Sequence, residues 1–183
     1  MRMRMRKTVG VTSFLMTGLL AVGFLCHRLH IEYRREQAIM CMAENLYHEG
    51  RGEKVGHQYL LGMLTLARVA DPDPQWPKTI CGVVGQDRQF SWTLDYRLAT
   101  KRGEQEKWEK AKFIARDLVL HAWVRFLLPR GWACARFYKR TDVKGVSKKS
   151  QKFFDARLFP VGQFGSHSAF QERRGCKYPL PTT

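Results

Sequence analysis

"CMAENLYHEGRGE", residues 41–53, combines the end of a helix with two carboxylates. It begins with apolar residues at helical spacing, and two glycines, Gly50 and Gly52, stand near its end. Glycine is unfavourable in a helix interior, where each one costs about 1 kcal/mol relative to alanine. Glu49 and Glu53 lie on either side of these glycines. The stretch is therefore either a helix boundary with two surface carboxylates or a site built where a helix ends.

The N-terminal residues predict a membrane anchor. Residues 1–7 are basic, and residues 8–26 contain no charge, which is about long enough for a helix to span a hydrocarbon core. We expect residues 1–7 inside and the long C-terminal part outside, because long domains translocate largely regardless of their own charge. A cleaved signal peptide is the alternative, although no clear small-x-small site follows the apolar run. The many small and weakly polar residues indicate either a helix-packing face or a segment held only marginally in the bilayer.

The rest of the chain predicts one α+β domain with a helical core and a small β-sheet. Residues 27–38 form a stalk helix, residues 39–176 the domain and residues 177–183 a tail. Periodicity predicts helices over residues 27–48, 55–70 and 103–127, with the buried face of the third marked by Trp108, Ala111, Ala115, Leu118 and Ala122. Residues 135–140 and 153–170 predict short strands, and residues 144–152 between them predict an exposed loop.

Charge and cysteine content limit the compartment and the partners. The chain has 32 Lys and Arg against 16 Asp and Glu, which favours polyanions such as nucleic acid, anionic lipid or cell-wall polymers. No helix-turn-helix, zinc-finger or RNP pattern is present, so we predict no nucleic-acid partner. Cys26 lies at the membrane end, and the remaining four cysteines form no CxxC motif. An even number predicts disulfides outside the cytoplasm, and spacing alone does not choose among three pairings.

The stretch around Glu49 suits acid chemistry better than metal chemistry. A zincin HExxH motif needs a second histidine where Gly52 stands, so we predict no metal and no cofactor. No G-x-S-x-G motif indicates a serine hydrolase. Cleavage of a glycosidic bond needs a carboxylic acid that keeps its proton near neutral pH, and an apolar pocket raises a glutamate pKa. Glu49 follows an apolar helical face and fits that role, with Arg51 orienting the loop and Glu53 capping or bracing it.

Five segments in order carry a family resemblance: residues 41–53, "ARV" at 67–69, "PKTICGVVGQDRQFSW" at 77–92, "FY" at 137–138 and "GSH" at 165–167. Together they resemble the cell wall hydrolase family of the spore cortex-lytic (SleB and CwlJ) type. The combination of E-x-R-G-E and Q-F-S-W is the specific part of the match. The resemblance covers about residues 41–170 and implies a lysozyme-like catalytic domain that cleaves the glycan backbone of peptidoglycan.

The resemblance also implies roles for individual residues. Glu49 corresponds to the catalytic glutamate and Glu53 to the second glutamate of the motif. The implied substrate-binding residues are Arg51, Gln89, Phe90, Ser91, Trp92, Tyr138 and His167. The chain departs from the family pattern at Gly50, Ala67, Lys139 and Ser166.

The cysteines can then be paired around the implied cleft. Cys41 and Cys81 each lie beside a motif segment that must pack around it, so they are the first candidate disulfide. Cys134 and Cys176 would form the second.

The predicted function is cleavage of peptidoglycan strands, as a lytic transglycosylase or a muramidase, for cell lysis or wall remodelling. One well-placed acid favours transglycosylation, and Asp95 is the other carboxylate near a motif. We expect a monomer in the inner membrane, single-pass, with its catalytic domain in the periplasm or otherwise outside the cytoplasmic membrane. This layout resembles phage lysis enzymes of the signal-arrest-release kind. The alternative is a non-enzymatic, membrane-anchored basic module that binds an anionic polymer, either cell wall or nucleic acid.

Overall fold

The computed structural model describes residues 5–86, 102–121, 130–132, 134–141 and 148–173. For residues 5–17, 102–103, 130 and 148–150 the backbone alone is described. The helices are α1 (Met5–Gly50), α2 (Val55–Ala70), α3 (Ile80–Val84), α4 (Arg102–Leu120) and α5 (Lys148–Arg157), and the strands are β1 (Phe137–Arg140), β2 (Leu158–Phe164) and β3 (His167–Glu172). A 3₁₀ turn covers Arg130–Trp132. The chain divides into two units, Met1–Gln37 and Ala38–Thr183.

The first unit contains the N-terminal part of α1. Its described side chains, from Gly18 onward, are solvent-exposed, including apolar residues such as Leu20 and Phe24. No helix in the described part of the chain is both long enough and apolar enough to be a membrane span. Side chains 8–17 of the predicted anchor lie outside the described set, and the anchor stays a prediction.

The second unit has a core built mainly from three helices. Apolar side chains of α1, α2 and α4 form one buried cluster that includes Met42, Leu46, Leu64 and Ile114. The helices α2 and α4 approach closely at Gly62, where an added Cβ would lie 2.3 Å from Leu118 Cδ1. The bounds of α2 match the prediction, because the following "DPDP" ends the helix. Ala111, Ala115 and Leu118 are buried on α4 as predicted, while Ala122 lies outside the described residues.

The three strands form an antiparallel sheet in the order β1–β3–β2. In the β1–β3 register Tyr138 lies opposite Ala169, and Arg140 lies opposite His167. The strands β2 and β3 form a hairpin whose turn is Gly165 and Ser166. The predicted α+β class, helix-rich with a small sheet, is therefore confirmed.

Two predicted segments differ from the structure. The third helix was predicted to reach residue 127, but α4 ends at Leu120, with His121 outside it and residues 122–129 outside the described set. Residues 148–152 were expected in a loop and residues 153–157 in a strand, but all belong to α5. The Lys, Gln, Ala and Arg residues of this stretch are good helix formers. The Gln151 side chain also donates to Asp155 one turn later, at 2.8 Å. The aromatic pair Phe153 and Phe154 is also compatible with a strand, but in the structure both rings pack against the sheet from a helix, on Phe137 and Phe170.

Candidate active site

The end of α1 and the turn after it are fixed by hydrogen bonds from α2. Gly50 is the last residue of α1, and its carbonyl accepts the Glu53 N–H at 2.9 Å. The same carbonyl accepts from the buried Gln58 side chain at 2.8 Å, and Gln58 also reaches the Glu53 carbonyl at 3.2 Å. The Gln58 side chain of α2 therefore holds the backbone of the turn that connects the two glutamates.

Both glutamates line one cavity of about 270 Å³. Its walls come from the end of α1, the turn after it, the end of β1 and the tip of the β2–β3 hairpin. The lining residues are His48, Glu49, Arg51, Gly52, Glu53, Arg140 and Ser166. Three segments distant in the sequence therefore meet at the stretch that the sequence analysis identified.

Glu49 is a carboxyl whose surroundings favour its protonated form. Its side chain is half-buried, and burial raises its pKa above the ordinary value. The positive charges of Arg140 and Arg68 act in the opposite direction but do not cancel the effect of burial. Glu49 therefore stays protonated to a higher pH than an exposed glutamate, as a general acid requires.

Arg68, the arginine of the "ARV" segment, is a buried cation behind Glu49. Its guanidinium lies 5.0 Å from the Trp76 ring centroid and 5.5 Å from that of Tyr138, and its Nε donates to the Arg136 carbonyl. The phenol of Tyr138 has a raised pKa, first from burial and then from the charge of Glu49. Arg68 thus lies among aromatic rings where its charge acts on Glu49 in low-dielectric surroundings.

The pKa of Glu53 is shifted in the opposite direction, so that its ionised form is favoured. Its Oε1 accepts from the Ser166 backbone N–H at 3.0 Å and from the Ser166 hydroxyl, and its Oε2 lies 3.3 Å from His57 Nδ1. Burial alone would raise its pKa, but these hydrogen bonds and the nearby His167 lower it overall. The contact fixes the tip of the β2–β3 hairpin to the turn after α1.

Gly165 makes this contact possible. It has φ +51°, in the left-handed region that favours glycine, and an added Cβ would lie 1.9 Å from Glu53 Oε2. The glycine of the "GSH" segment therefore serves both the turn and the close approach of Glu53.

Arg51 is held by α4. Its guanidinium donates to Glu104 at 3.2 Å and lies 5.6 Å from the Tyr47 ring centroid. Glu104 also accepts from the Tyr47 hydroxyl at 2.6 Å and from Lys107 at 3.0 Å. These donors lower the pKa of Glu104 to about 2.

The structure brings together some of the predicted site residues and not others. Glu49, Glu53 and Arg51 meet at the cavity, whereas Tyr138 and His167 are not among its lining residues. The Tyr138 hydroxyl is buried, and His167 is fully buried and stacked on Phe164. Outside the described residues lie Gln89, Phe90, Ser91, Trp92 and Asp95.

Sequence reasoning missed Arg68, Arg140, His57 and the role of Ser166. They reach the two glutamates from α2, β1 and the hairpin turn. Arg68 and Ser166 lie in the family segments "ARV" and "GSH", which is the signal that could have found them, whereas no motif of the sequence analysis contains Arg140 or His57. Within the described residues, no group of three or more His, Cys, Asp or Glu side chains could hold a metal ion.

A disulfide joins Cys41 of α1 to Cys81 of α3, the pair that the sequence analysis placed first. Cys134 is also disulfide-bonded, and Cys26 is a free, exposed cysteine. Cys176, the partner predicted for Cys134, lies outside the described residues.

The chain is similar to known cell wall hydrolases. Residues 52–168 match the family model described as Cell Wall Hydrolase. The crystal structure of the catalytic domain of the Bacillus cereus SleB protein superposes with a TM-score of 0.52 at 25% sequence identity, covering 74% of this chain and 91% of that one. No protein with a curated description matches the chain.

Proposed function

This chain belongs to the cell wall hydrolase family, and we propose that it cleaves the glycan strands of peptidoglycan. We further propose that Glu49, which lies just ahead of the matched residues 52–168, is the general acid and base. The observation that carries the proposal is the half-buried Glu49 carboxyl, with its raised pKa, on the wall of a cavity. The similarity to the SleB catalytic domain supports the same proposal.

The first step is proton transfer to the leaving group. Glu49 donates its proton to the glycosidic oxygen as the bond from that oxygen to the muramic acid C1 breaks. The carboxylate left on Glu49 then faces the positive charges of Arg68 and Arg140, which stabilise it. Burial thus favours the protonated form of Glu49 before the reaction, and the two arginines stabilise the carboxylate that the proton transfer leaves.

We favour lytic transglycosylation for the second step. The C6 hydroxyl of the same muramic acid attacks C1, its proton passes to the Glu49 carboxylate, and a 1,6-anhydro sugar forms. Glu49 ends the cycle protonated, and no water is consumed. The contacts of Glu53 support this choice. Both its carboxylate oxygens already have partners in Ser166 and His57, so Glu53 holds the hairpin in place and is not a second catalytic carboxylate.

Hydrolysis is the second candidate, and one observation favours it. The pKa of Glu53 is lowered and that of Glu49, in the same cavity, is raised, and such a divergence of two pKa values is typical of paired glycosidase carboxylates. Mass spectrometry of digested peptidoglycan separates the two, because hydrolysis adds one water per cut and transglycosylation adds none.

The central test is Glu49→Gln, which keeps the shape and removes the acid. We expect lysis of purified peptidoglycan in a zymogram to fall at least about hundredfold, since general acids contribute about that much or more. Glu109→Gln is the matched control, because Glu109 is an exposed helical glutamate paired with Lys112. A folded Glu49→Gln protein with full activity would contradict the role of Glu49. Native protein that binds the wall without releasing fragments would favour the non-enzymatic binding module.

We also propose that residues 8–26 anchor the protein in the inner membrane, with the catalytic domain outside. The uncharged run supports the anchor, and the Cys41–Cys81 disulfide supports an oxidising compartment. The weakly polar composition of the run supports an anchor that can leave the bilayer. We expect part of the protein to become soluble when the membrane is depolarised, as measured by fractionation. Complete retention would contradict release.

A further inference from the structure

The cavity is lined by two guanidinium groups, those of Arg51 and Arg140. Arg51 lies 3.2 Å from Glu104 of α4. Arg140 is exposed at the end of β1 and lines the cavity, and its positive charge reaches Glu49. The proposed chemistry at Glu49 therefore takes place next to an accessible cation.

The backbone beneath Arg140 is fixed to the site. Arg140 lies opposite His167 in the sheet, and the next residue, Thr141, donates to the Ser166 carbonyl at 2.7 Å from its N–H and at 3.1 Å from its hydroxyl. Ser166 is in turn held by Glu53. This chain of bonds couples the position of Arg140 to the turn after Glu49, which is the precision a substrate-binding cation needs.

We propose that Arg140 is a specificity-determining residue that binds a carboxylate of the substrate, so that strands bearing negatively charged substituents beside the cleaved bond are preferred. The inference rests on the proposed function and adds a substrate feature to it. Guanidinium groups bind carboxylates through two parallel hydrogen bonds, which gives orientation as well as affinity. Peptidoglycan offers two sources, the free carboxylates of the peptide stem and the lactyl carboxylate of a muramic acid without a stem.

A general attraction must be separated from a specific one. The net charge of +16 draws the chain toward any polyanion, whatever Arg140 does. Lys139 gives the matched control, because it is the neighbouring cation and its ammonium donates to Gln151, at 2.6 Å, instead of lining the cavity. Lys139→Gln and Arg140→Gln remove the same charge, only one of them from the site.

The experiment compares kcat/KM on three soluble glycan substrates: strands with intact peptide stems, the same strands with the stem carboxylates amidated, and strands whose stems an amidase has removed. We expect wild-type protein to prefer one charged substrate over the amidated one by about ten- to hundredfold, as for a charge-assisted hydrogen bond. Preference for intact stems identifies the stem carboxylate, and preference for stripped strands identifies the lactyl carboxylate. Arg140→Gln should abolish the preference, Arg140→Lys should keep part of it, and Lys139→Gln should leave it unchanged.

Several outcomes overturn the proposal. Equal losses on all three substrates in Arg140→Gln, with unchanged melting temperature, would make Arg140 a general contributor with no part in substrate choice. Wild-type cleavage without preference for a charged strand would refute the role of Arg140 and leave the proposed function standing. Absence of cleavage of all three by wild-type protein would refute both.

Discussion

Replacing Gly165 by alanine tests the link between Glu53 and the hairpin. The residue has φ +51°, and the new Cβ would lie 1.9 Å from Glu53 Oε2 and 2.6 Å from His57 Nδ1. Neither contact can be accommodated, so the carboxylate must move away from the hairpin or the turn must change conformation. Either movement breaks the hydrogen bonds that Ser166 donates to Glu53.

The cost has two parts. A left-handed backbone costs an L-residue about 1–2 kcal/mol. Losing a hydrogen bond to a charged group costs about 1.5–3 kcal/mol. We therefore expect Gly165→Ala to lower the free energy of unfolding by about 2.5–5 kcal/mol at neutral pH. Lysis activity should fall as well, because the turn that lines the cavity is displaced from Glu53.

Urea unfolding of the purified protein measures the loss, and Gly52→Ala is the control. A Cβ at Gly52 meets nothing within 4 Å, so its effect should stay within about 0.5 kcal/mol. In a Glu53→Ala background the contact with Glu53 is gone and only the contact with His57 Nδ1 remains, so Gly165→Ala should cost less than it does in the wild-type background. An equal cost in both backgrounds would show that Glu53 is not the obstacle, and no cost in either would refute the assigned turn conformation.

The pH dependence follows from the lowered pKa of Glu53. A group whose pKa is lower in the folded state adds stability above its unfolded pKa, here about 4.5, and that stability is lost as the pH falls through the folded pKa. Part of the Gly165→Ala penalty should therefore disappear in acid, where wild-type protein has also lost the charged contact. A penalty that does not change with pH would assign it to the backbone alone.

Three further predictions concern the disulfide, the acid and the buried cation. Replacing Cys41 and Cys81 together by serine opens a loop of sequence separation 40 and should cost about 4 kcal/mol in urea unfolding; an unchanged midpoint would show that this bond adds nothing. Glu49 has a raised folded pKa, so its ionisation opposes folding as the pH rises; Glu49→Gln should melt higher than wild type at alkaline pH, with the difference vanishing below pH of about 4. Arg68→Met should cost about 2–4 kcal/mol and move the alkaline limb of the activity profile to higher pH, because a charge that lowers the Glu49 pKa is lost; an unmoved limb would remove Arg68 from the site's electrostatics.

The local parts of this molecule are predictable from the sequence because local physics determines them. The α2 helix follows from its apolar period and the prolines after it, and the position of Glu49 follows from where α1 must end. The α5 helix does not, since its lysines and aromatics suit a loop or a strand equally well until the contact with the sheet is known. The partners of Glu53 cannot be predicted from the sequence for another reason. Ser166 is separated from it by 113 residues, and a single sequence contains no signal for that distance.

The two glycines between the glutamates explain how a single short stretch yields two different acids. In a continuing helix, residues four apart share a face and a similar environment. Here α1 ends at Gly50, whose added Cβ would lie 2.8 Å from Leu61 Cδ1, so the chain turns away close against α2. Glu49 remains in the last helical turn, where burial favours its neutral form. Glu53 lies beyond the turn, where the hairpin supplies donors that favour its ionised form. One cavity therefore combines a carboxyl whose pKa is raised with a carboxyl whose pKa is lowered, and the proposed proton transfer from Glu49 uses this difference.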